Sequence, residues 1–360
     1  MKTENVKFSN YPLIVPTEKR MRNKFEKLIE ELKECGSART ASLAIKHWNK
    51  YCEELTTQMS VIYVLYSCDT KNIAYKKAQE RCDELSPIIS DYSNKYEKIL
   101  VKARYRKDLE ALYGKYLFKM YDSSLKSFDE KIMPDLIEEN KLTSKYDEVL
   151  GGAQIDFRGE VLNLSQLGKH LQSKDRAERK EAAIAMDKWL SDHDKELGDI
   201  YSQLVTLRDS MAKKLGFKNF IELGYLRLGR MDYDAKRVKG YREQIVEEVI
   251  PTCQKLYKAQ MKLLGIKNPQ NYDYNLRFAN GNATPAGDAK YLVNVAKEMY
   301  SDLSSESKEF FEFMTENELM DLEARQGKAP GGYCTYFPDY KAPFIFSNFN
   351  GTEGDVNVLC

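Results

Sequence analysis

The sequence predicts a mainly α protein with one small β element near its C-terminus. Three observations carry this. Across most of the 360 residues, apolar positions recur every three or four residues. Gly, Pro and Asn gather between those runs rather than inside them. Alternating, β-branched and aromatic stretches are confined to two places, residues 154–164 and 333–349.

The helical elements follow in order. In residues 18–35, Phe25, Leu28, Ile29 and Leu32 fall on one face and Gly36 is a stop, which predicts an amphipathic helix. A second helix is predicted from about 42 to 66, rich in Trp48, Tyr51, Tyr63 and Tyr66. Asp69 and Thr70 cap a third, from 72 to about 113, which Pro87 should kink or restart. Residues 115–140 continue the pattern to a break near Pro134. Short loops between these helices predict an antiparallel wall. Residues 154–157 and 161–164, with Arg158-Gly159-Glu160 between them, read as a small hairpin.

From 175 to 216 the stripe Ala183, Met186, Leu190, His193, Leu197, Ile200, Leu204, Leu207, Met211, Leu215 predicts one long helix, capped by Ser173 or Asp175 and closed by Gly216. Such a stripe suits a coiled-coil dimer or burial in its own domain, and the amphipathic helices around it favour burial. Helices are predicted for 219–229 and from Asp234 to about 264, the second with Pro251 inside it. Residues 268–287 read as a loop, and Tyr272, Tyr274 and Phe278 predict that it packs on something. Asp288 opens a helix to 300, Ser304 or Ser305 opens another, and residues 321–325 end the helical region. Two strands follow, separated by Pro338-Asp339, and Thr352 caps a helix containing Val356, Leu359 and Cys360. No Gly, Asn, Pro or basic turn ends that helix, so the sequence reads as cut through an element, with a short frayed helix docked at a genuine C-terminus as the alternative.

Composition narrows the function classes. Lys plus Arg number 56 against 55 Asp plus Glu, which gives no electrostatic case for nucleic acid or an anionic membrane. The first residues lack an apolar core of signal-peptide length, and no run reaches the length of a membrane span. Seven cysteines, an odd number without Cys-x-x-Cys, read as reduced thiols packed in a cytoplasmic protein.

Chemistry is sparse. The three histidines are His47, His170 and His193, and no two stand four residues apart. None is assignable as a metal ligand on spacing. His193, on the apolar stripe, reads as a packed structural residue, and His47 and His170 as surface or boundary residues. The glycine pairs at 151–152 and 331–332 make no phosphate loop, and no Gly-x-Ser-x-Gly occurs. Cys334 has no histidine near it in sequence.

The run Gly331-Gly332-Tyr333-Cys334-Thr335, with Ala342-Pro-Phe-Ile-Phe-Ser-Asn-Phe349 and Asn350-Gly-Thr-Glu-Gly-Asp355-Val-Asn-Val-Leu-Cys360, resembles the segment before the zinc motif of oligoendopeptidase F-like enzymes of the M3 family. Similar runs occur upstream at 142–146, 173–182, 207–217 and 227–232. The resemblance implies an N-terminal helical region (1–114), an M3 N-terminal-type region with the hairpin (115–200) and an incomplete catalytic region (201–360). The helical lobe would be one wall of a channel. It implies a zinc-dependent oligoendopeptidase acting on short unstructured peptides, with His-Glu-x-x-His and all catalytic groups expected beyond Cys360. This chain alone is then expected to bind no catalytic Zn2+ and to hydrolyse nothing. Its substrate-binding candidates are Gly331, Gly332, Tyr333, Cys334 and Thr335, on a strand edge that an extended peptide can join. Alternation places Tyr333, Thr335 and Phe337 on one face and Cys334 and Tyr336 on the other. A core strand under the helical lobe is the alternative for this run. A non-catalytic peptide-binding or scaffold protein is the alternative for the whole.

Overall fold

The computed structural model describes residues 6–360, and its first half is built on an aromatic core. Helices α1 (Glu18–Lys33), α2 (Ala38–Cys68) and α3 (Ile73–Lys102) pack around Phe25, whose ring lies 5.0 Å from those of Trp48, Tyr51 and Tyr92. Phe25 is fully buried, and burying such a ring contributes about 2–3 kcal/mol. Helices α4 (Arg106–Tyr113) and α5 (Lys115–Ser127) complete the cluster with Leu109 and Phe118.

The structure moves several predicted boundaries. Ser37 caps α2 in a reciprocal pair with Thr40, so the helix begins earlier than its aromatic stripe. Pro87 does not interrupt α3. A proline at this position leaves the carbonyl four residues back without its amide partner. Here that carbonyl, on Asp83, accepts from Asn140 Nδ2 at 3.0 Å. The break comes instead at 103–105, before α4. Pro134 lies in the first turn of α6 (Met133–Gly151), where its missing N–H costs nothing, so it opens a helix rather than breaking one.

The hairpin forms as expected, from β1 (Ile155–Phe157) and β2 (Glu160–Leu162), with positive φ at Arg158 and Gly159. It packs with α7 (Leu164–His170) and α8 (Arg176–Asp192). The predicted long helix is two: α8 and α9 (Asp194–Lys214) meet at His193. The His193 ring stacks on Trp189 at 4.2 Å, and its Nδ1 lies 2.8 Å from the Trp189 carbonyl. A side chain that engages the helix's own carbonyl offers the backbone an alternative to the ladder. Already in the last turn of α8 the buried face departs from the predicted stripe: Trp189 is buried and Leu190 is exposed.

Helix α10 (Phe220–Arg227) precedes α11 (Ala235–Gln244), which runs through a π turn (Ile245–Val249) into α12 (Ile250–Leu263). The widened turn directly precedes Pro251. The 268–287 loop is held differently from expectation. Tyr274 and Phe278 are exposed; the anchor is Asp273, fully buried between Arg176 and Arg179 at 2.8 and 2.9 Å. Helices α13 (Ala289–Leu303) and α14 (Ser305–Glu316) pack together and lead to the sheet. Its strands are β3 (Met320–Glu323), β4 (Tyr333–Phe337) and β5 (Ala342–Phe349), in the order β3-β5-β4. β3 lies parallel to β5, and β4 antiparallel to it. The sequence reading had residues 321–325 ending a helix; most of that stretch is strand. Helix α15 (Glu353–Leu359) follows β5.

Burial alone would raise the Asp273 carboxyl, but hydrogen bonds from Arg176, the Gln270 amide and Arg179 hold it down at about 2. Its stabilisation is therefore complete above about pH 4 and fades as the pH falls toward 2. Asp273→Ala strands the buried Arg179 charge and should cost about 3–5 kcal/mol in urea unfolding at pH 7. Arg176→Ala removes a half-exposed partner and should cost about 1 kcal/mol or less.

Candidate peptide-binding edge

The candidate site begins at a buried lysine. Lys328 lies in the loop between β3 and β4 with its side chain fully buried. Its ammonium donates to Asp321 Oδ1 at 2.7 Å and to the carbonyls of Asp321, Glu323 and Ser347. It also stands 4.6 Å from the centre of the Phe346 ring. One cation thus ties β3, β5 and the loop together. Burial favours the neutral amine and lowers the Lys328 pKa, against the pull of Asp321. Burial likewise works to raise the Asp321 carboxyl, but Arg325, Cys68 and Lys328 hold it down at about 2. The Cys68 thiol beside it is pushed up to about 12, first by burial and then by Asp321, which makes it an inert thiol.

The loop also closes the end of α2. Ala329 N–H donates to the Ser67 carbonyl at 2.8 Å and Arg325 to the Cys68 carbonyl at 2.9 Å, filling acceptors that a helix end leaves free. Thr70 donates to the Gly327 carbonyl through both its amide and its hydroxyl, each at 2.8 Å. Asn348 Nδ2 on β5 donates to the carbonyls of Ala329 and Gly331, at 2.9 and 2.8 Å. The chain enters β4 already fixed.

Both glycines at that entry have a reason. Gly331 has φ +83°, a left-handed conformation. A Cβ on Gly332 would stand 3.2 Å from the Phe346 carbonyl oxygen. Then alternation takes over. Tyr333 stacks on Phe346 at 4.8 Å and approaches Tyr63 of α2 at 5.1 Å, and Phe337 is fully buried. Cys334 and Tyr336 are exposed. The five candidate residues are contiguous at the start of β4: Gly331, Gly332 and Cys334 exposed, Tyr333 and Thr335 half-buried. Among the described residues β4 pairs with β5 alone, so alternate amides and carbonyls point away from the sheet.

After β5 the chain turns sharply into α15. The buried Asp355 carboxylate accepts from Gly351 N–H at 2.7 Å and Asn350 N–H at 3.2 Å. Tyr300 on α13 donates to the Leu359 carbonyl at 3.0 Å. The short helix is packed rather than frayed.

The residues present do not fit a zinc centre. Among the described residues no group of three His, Cys, Asp or Glu side chains is arranged to hold a metal. His47 faces Glu31 at 2.7 Å, His170 faces Glu178 at 2.6 Å, and His193 sits at the α8–α9 break, all in different parts of the fold. Sequence reasoning missed Lys328, Asp321 and Tyr63 as residues that set the edge. Only Lys328 left a hint, as a basic residue set among Gly327, Pro330, Gly331 and Gly332.

Fold and site together define a helical wall that presents one edge of a small mixed sheet. Residues 8–128 match the family model of the Peptidase M3 N-terminal domain, and residues 169–360 match that of Peptidase family M3. The chain belongs to peptidase family M3. Similar solved structures include one described as an oligoendopeptidase F (41% identity, TM-score 0.97, 98% of this chain and 63% of that one). Another is PZ peptidase A with an inhibitor (40%, 0.96, 98% and 63%). A third, from Bacillus anthracis str. Ames, is also described as an oligoendopeptidase F (43%, 0.96, 98% and 65%). The chain therefore spans less than two thirds of the length of these relatives. No curated protein matches it.

Replacing Lys328 by Met leaves Asp321 and three carbonyls short of a donor. Lys328→Met should cost about 3 kcal/mol in denaturant unfolding. It should also raise the pH at which acid unfolding sets in, because Asp321 loses a partner that keeps its carboxyl low.

Proposed function

We propose that this chain forms the channel wall and substrate-holding edge of a zinc-dependent oligoendopeptidase that cuts short unstructured peptides in the cytoplasm. The carrying observation is that 98% of the chain matches an oligoendopeptidase F structure at TM-score 0.97 and 41% identity. In this reading the zinc ligands and the general base belong to residues beyond Cys360, and no chemical step is assigned to this chain. What the chain supplies is binding. An extended peptide joins β4 on its open side, exchanging backbone hydrogen bonds with it while Gly331 and Gly332 allow close approach. Such binding reads backbone rather than side chains, which suits short peptides of varied sequence. Seven cysteines, all unbonded in the structure, support a reducing compartment. No helix among the described residues is long and apolar enough to cross a membrane.

The test uses the 360-residue chain carrying Cys360→Ser, with the exposed Cys334 labelled by an environment-sensitive fluorophore. Short peptides should change its emission. N-methylation at alternate peptide residues should weaken binding by up to about tenfold, since each backbone hydrogen bond contributes about 0.5–1.5 kcal/mol. Metal analysis after dialysis against zinc should find no stoichiometric metal, and fluorogenic peptides should stay uncut. One zinc per chain with chelator-sensitive cleavage would overturn the assignment of the cutting groups to later residues. Absence of any peptide response would overturn the edge.

A further inference from the structure

Asp147 on α6 is a carboxylate without a partner beside the Tyr333 end of β4. Three contacts and one electrostatic interaction place it there. Gly151, one turn further on, packs so closely against the loop that a Cβ would meet the Lys328 carbonyl at 3.1 Å. Ser144, one turn back, accepts the Tyr66 hydroxyl of α2 on its carbonyl at 3.2 Å. Tyr63, one turn before Tyr66, interacts electrostatically with Asp147. The Tyr63 ring in turn stands 5.1 Å from that of Tyr333.

Several neighbouring groups are already paired. Asp83 accepts from Ser144 at 2.8 Å and Gln79 at 2.9 Å. Lys76 pairs with Glu148 at 2.6 Å, and Lys145 reaches Glu196 at 3.6 Å. Asp147 is half-buried, and among the described residues its carboxylate has no hydrogen-bond or ion-pair partner. Burial, followed by the Asp83 charge, pushes its pKa up. A half-buried carboxylate held without a partner works against the fold's own stability. Its neighbour Tyr63 is partly open to solvent.

We propose that Asp147 is the subsite for a cationic group, ammonium or guanidinium, of a peptide laid along β4. The Tyr63 ring beside it is partly open to solvent, and an aromatic ring next to a carboxylate suits a cation. The inference rests on the edge reading above.

The experiment measures binding of four peptides to the 360-residue chain and to its Asp147→Asn variant by calorimetry. One peptide has a free N-terminus and one is N-acetylated. Two further N-acetylated peptides differ in a terminal Arg or norleucine. The expected result is that a cationic peptide binds the parent chain about tenfold more tightly than its neutral counterpart, and that Asp147→Asn removes the gap. Which pair shows the gap tells whether the cation is the N-terminal ammonium or a side chain. Asp147→Asn should leave the melting temperature unchanged or higher, which a structural carboxylate would not do. Equal binding of all four peptides overturns the subsite and leaves the edge standing. Binding of none overturns the edge, and the subsite with it. A gap that persists in Asp147→Asn assigns the selectivity to another residue and overturns the proposal.

Discussion

The ammonium of Lys328 is the constraint on which the C-terminal half is arranged. A buried charge is costly, and a buried ion pair often adds little net stability over an apolar replacement of the same shape. What it adds here is placement. Three carbonyls and a carboxylate, all from β3 and β5, converge on one ammonium that the loop before β4 supplies. No apolar side chain satisfies those acceptors. These atoms tie β3 to β5, and the loop that carries Lys328 closes α2 and leads into β4 through bonds of its own.

Other buried charges act in the same way elsewhere in the wall. Asp273 holds the 268–287 loop to α8 through Arg176 and Arg179. Glu139 of α6, nearly fully buried, takes Arg208 of α9 at 2.6 Å and Arg227 of α10 at 2.7 Å. Burial works to raise the Glu139 pKa, and the two guanidiniums lower it overall. Each anchor joins elements that are far apart in sequence, and in both of these arginine supplies the donors, with a planar fork that suits a carboxylate. Apolar stripes bring the helices together, and these anchors choose the register in which they meet.

That division explains what was legible in the sequence. Stripes, caps and glycine stops are local, so α1, the hairpin, α10, α13, α14 and the final two strands could be read directly. Pro87 could not, because its rescue comes from Asn140, more than fifty residues away. The break at His193 was hidden because the histidine fits the apolar stripe and reveals itself only through its ring on Trp189. β3 was hidden for a stronger reason: Met320-Asp-Leu-Glu323 has no β-branched residue and two acids. Only pairing with β5 and the Lys328 charge make it a strand. At the site the same rule holds: the five candidate residues lie in one short run, whereas Tyr63 meets that run from α2 and Lys328 fixes its neighbours β3 and β5 from the preceding loop. At the chain's start, Phe8 donates its amide to Asn317 and stacks on Phe337 at 5.7 Å, which nothing in the local sequence predicts.

The two outer strands of the sheet are treated differently, and the difference bears on what β4 is for. Unpaired edges invite association, and proteins blunt them with charges, prolines and bulges. β3 follows that rule: it carries Asp321 and Glu323 and has a register shift between them. β4 does not. Tyr333-Cys-Thr-Tyr-Phe337 has no charge and no proline, its register on β5 is regular, and Tyr336 is half exposed. One edge is protected and the other is left able to accept a strand, within a single three-stranded sheet. An unprotected edge is a liability unless something reversible uses it. A short extended peptide, with β4 as its backbone template and Asp147 waiting at one end, is such an occupant.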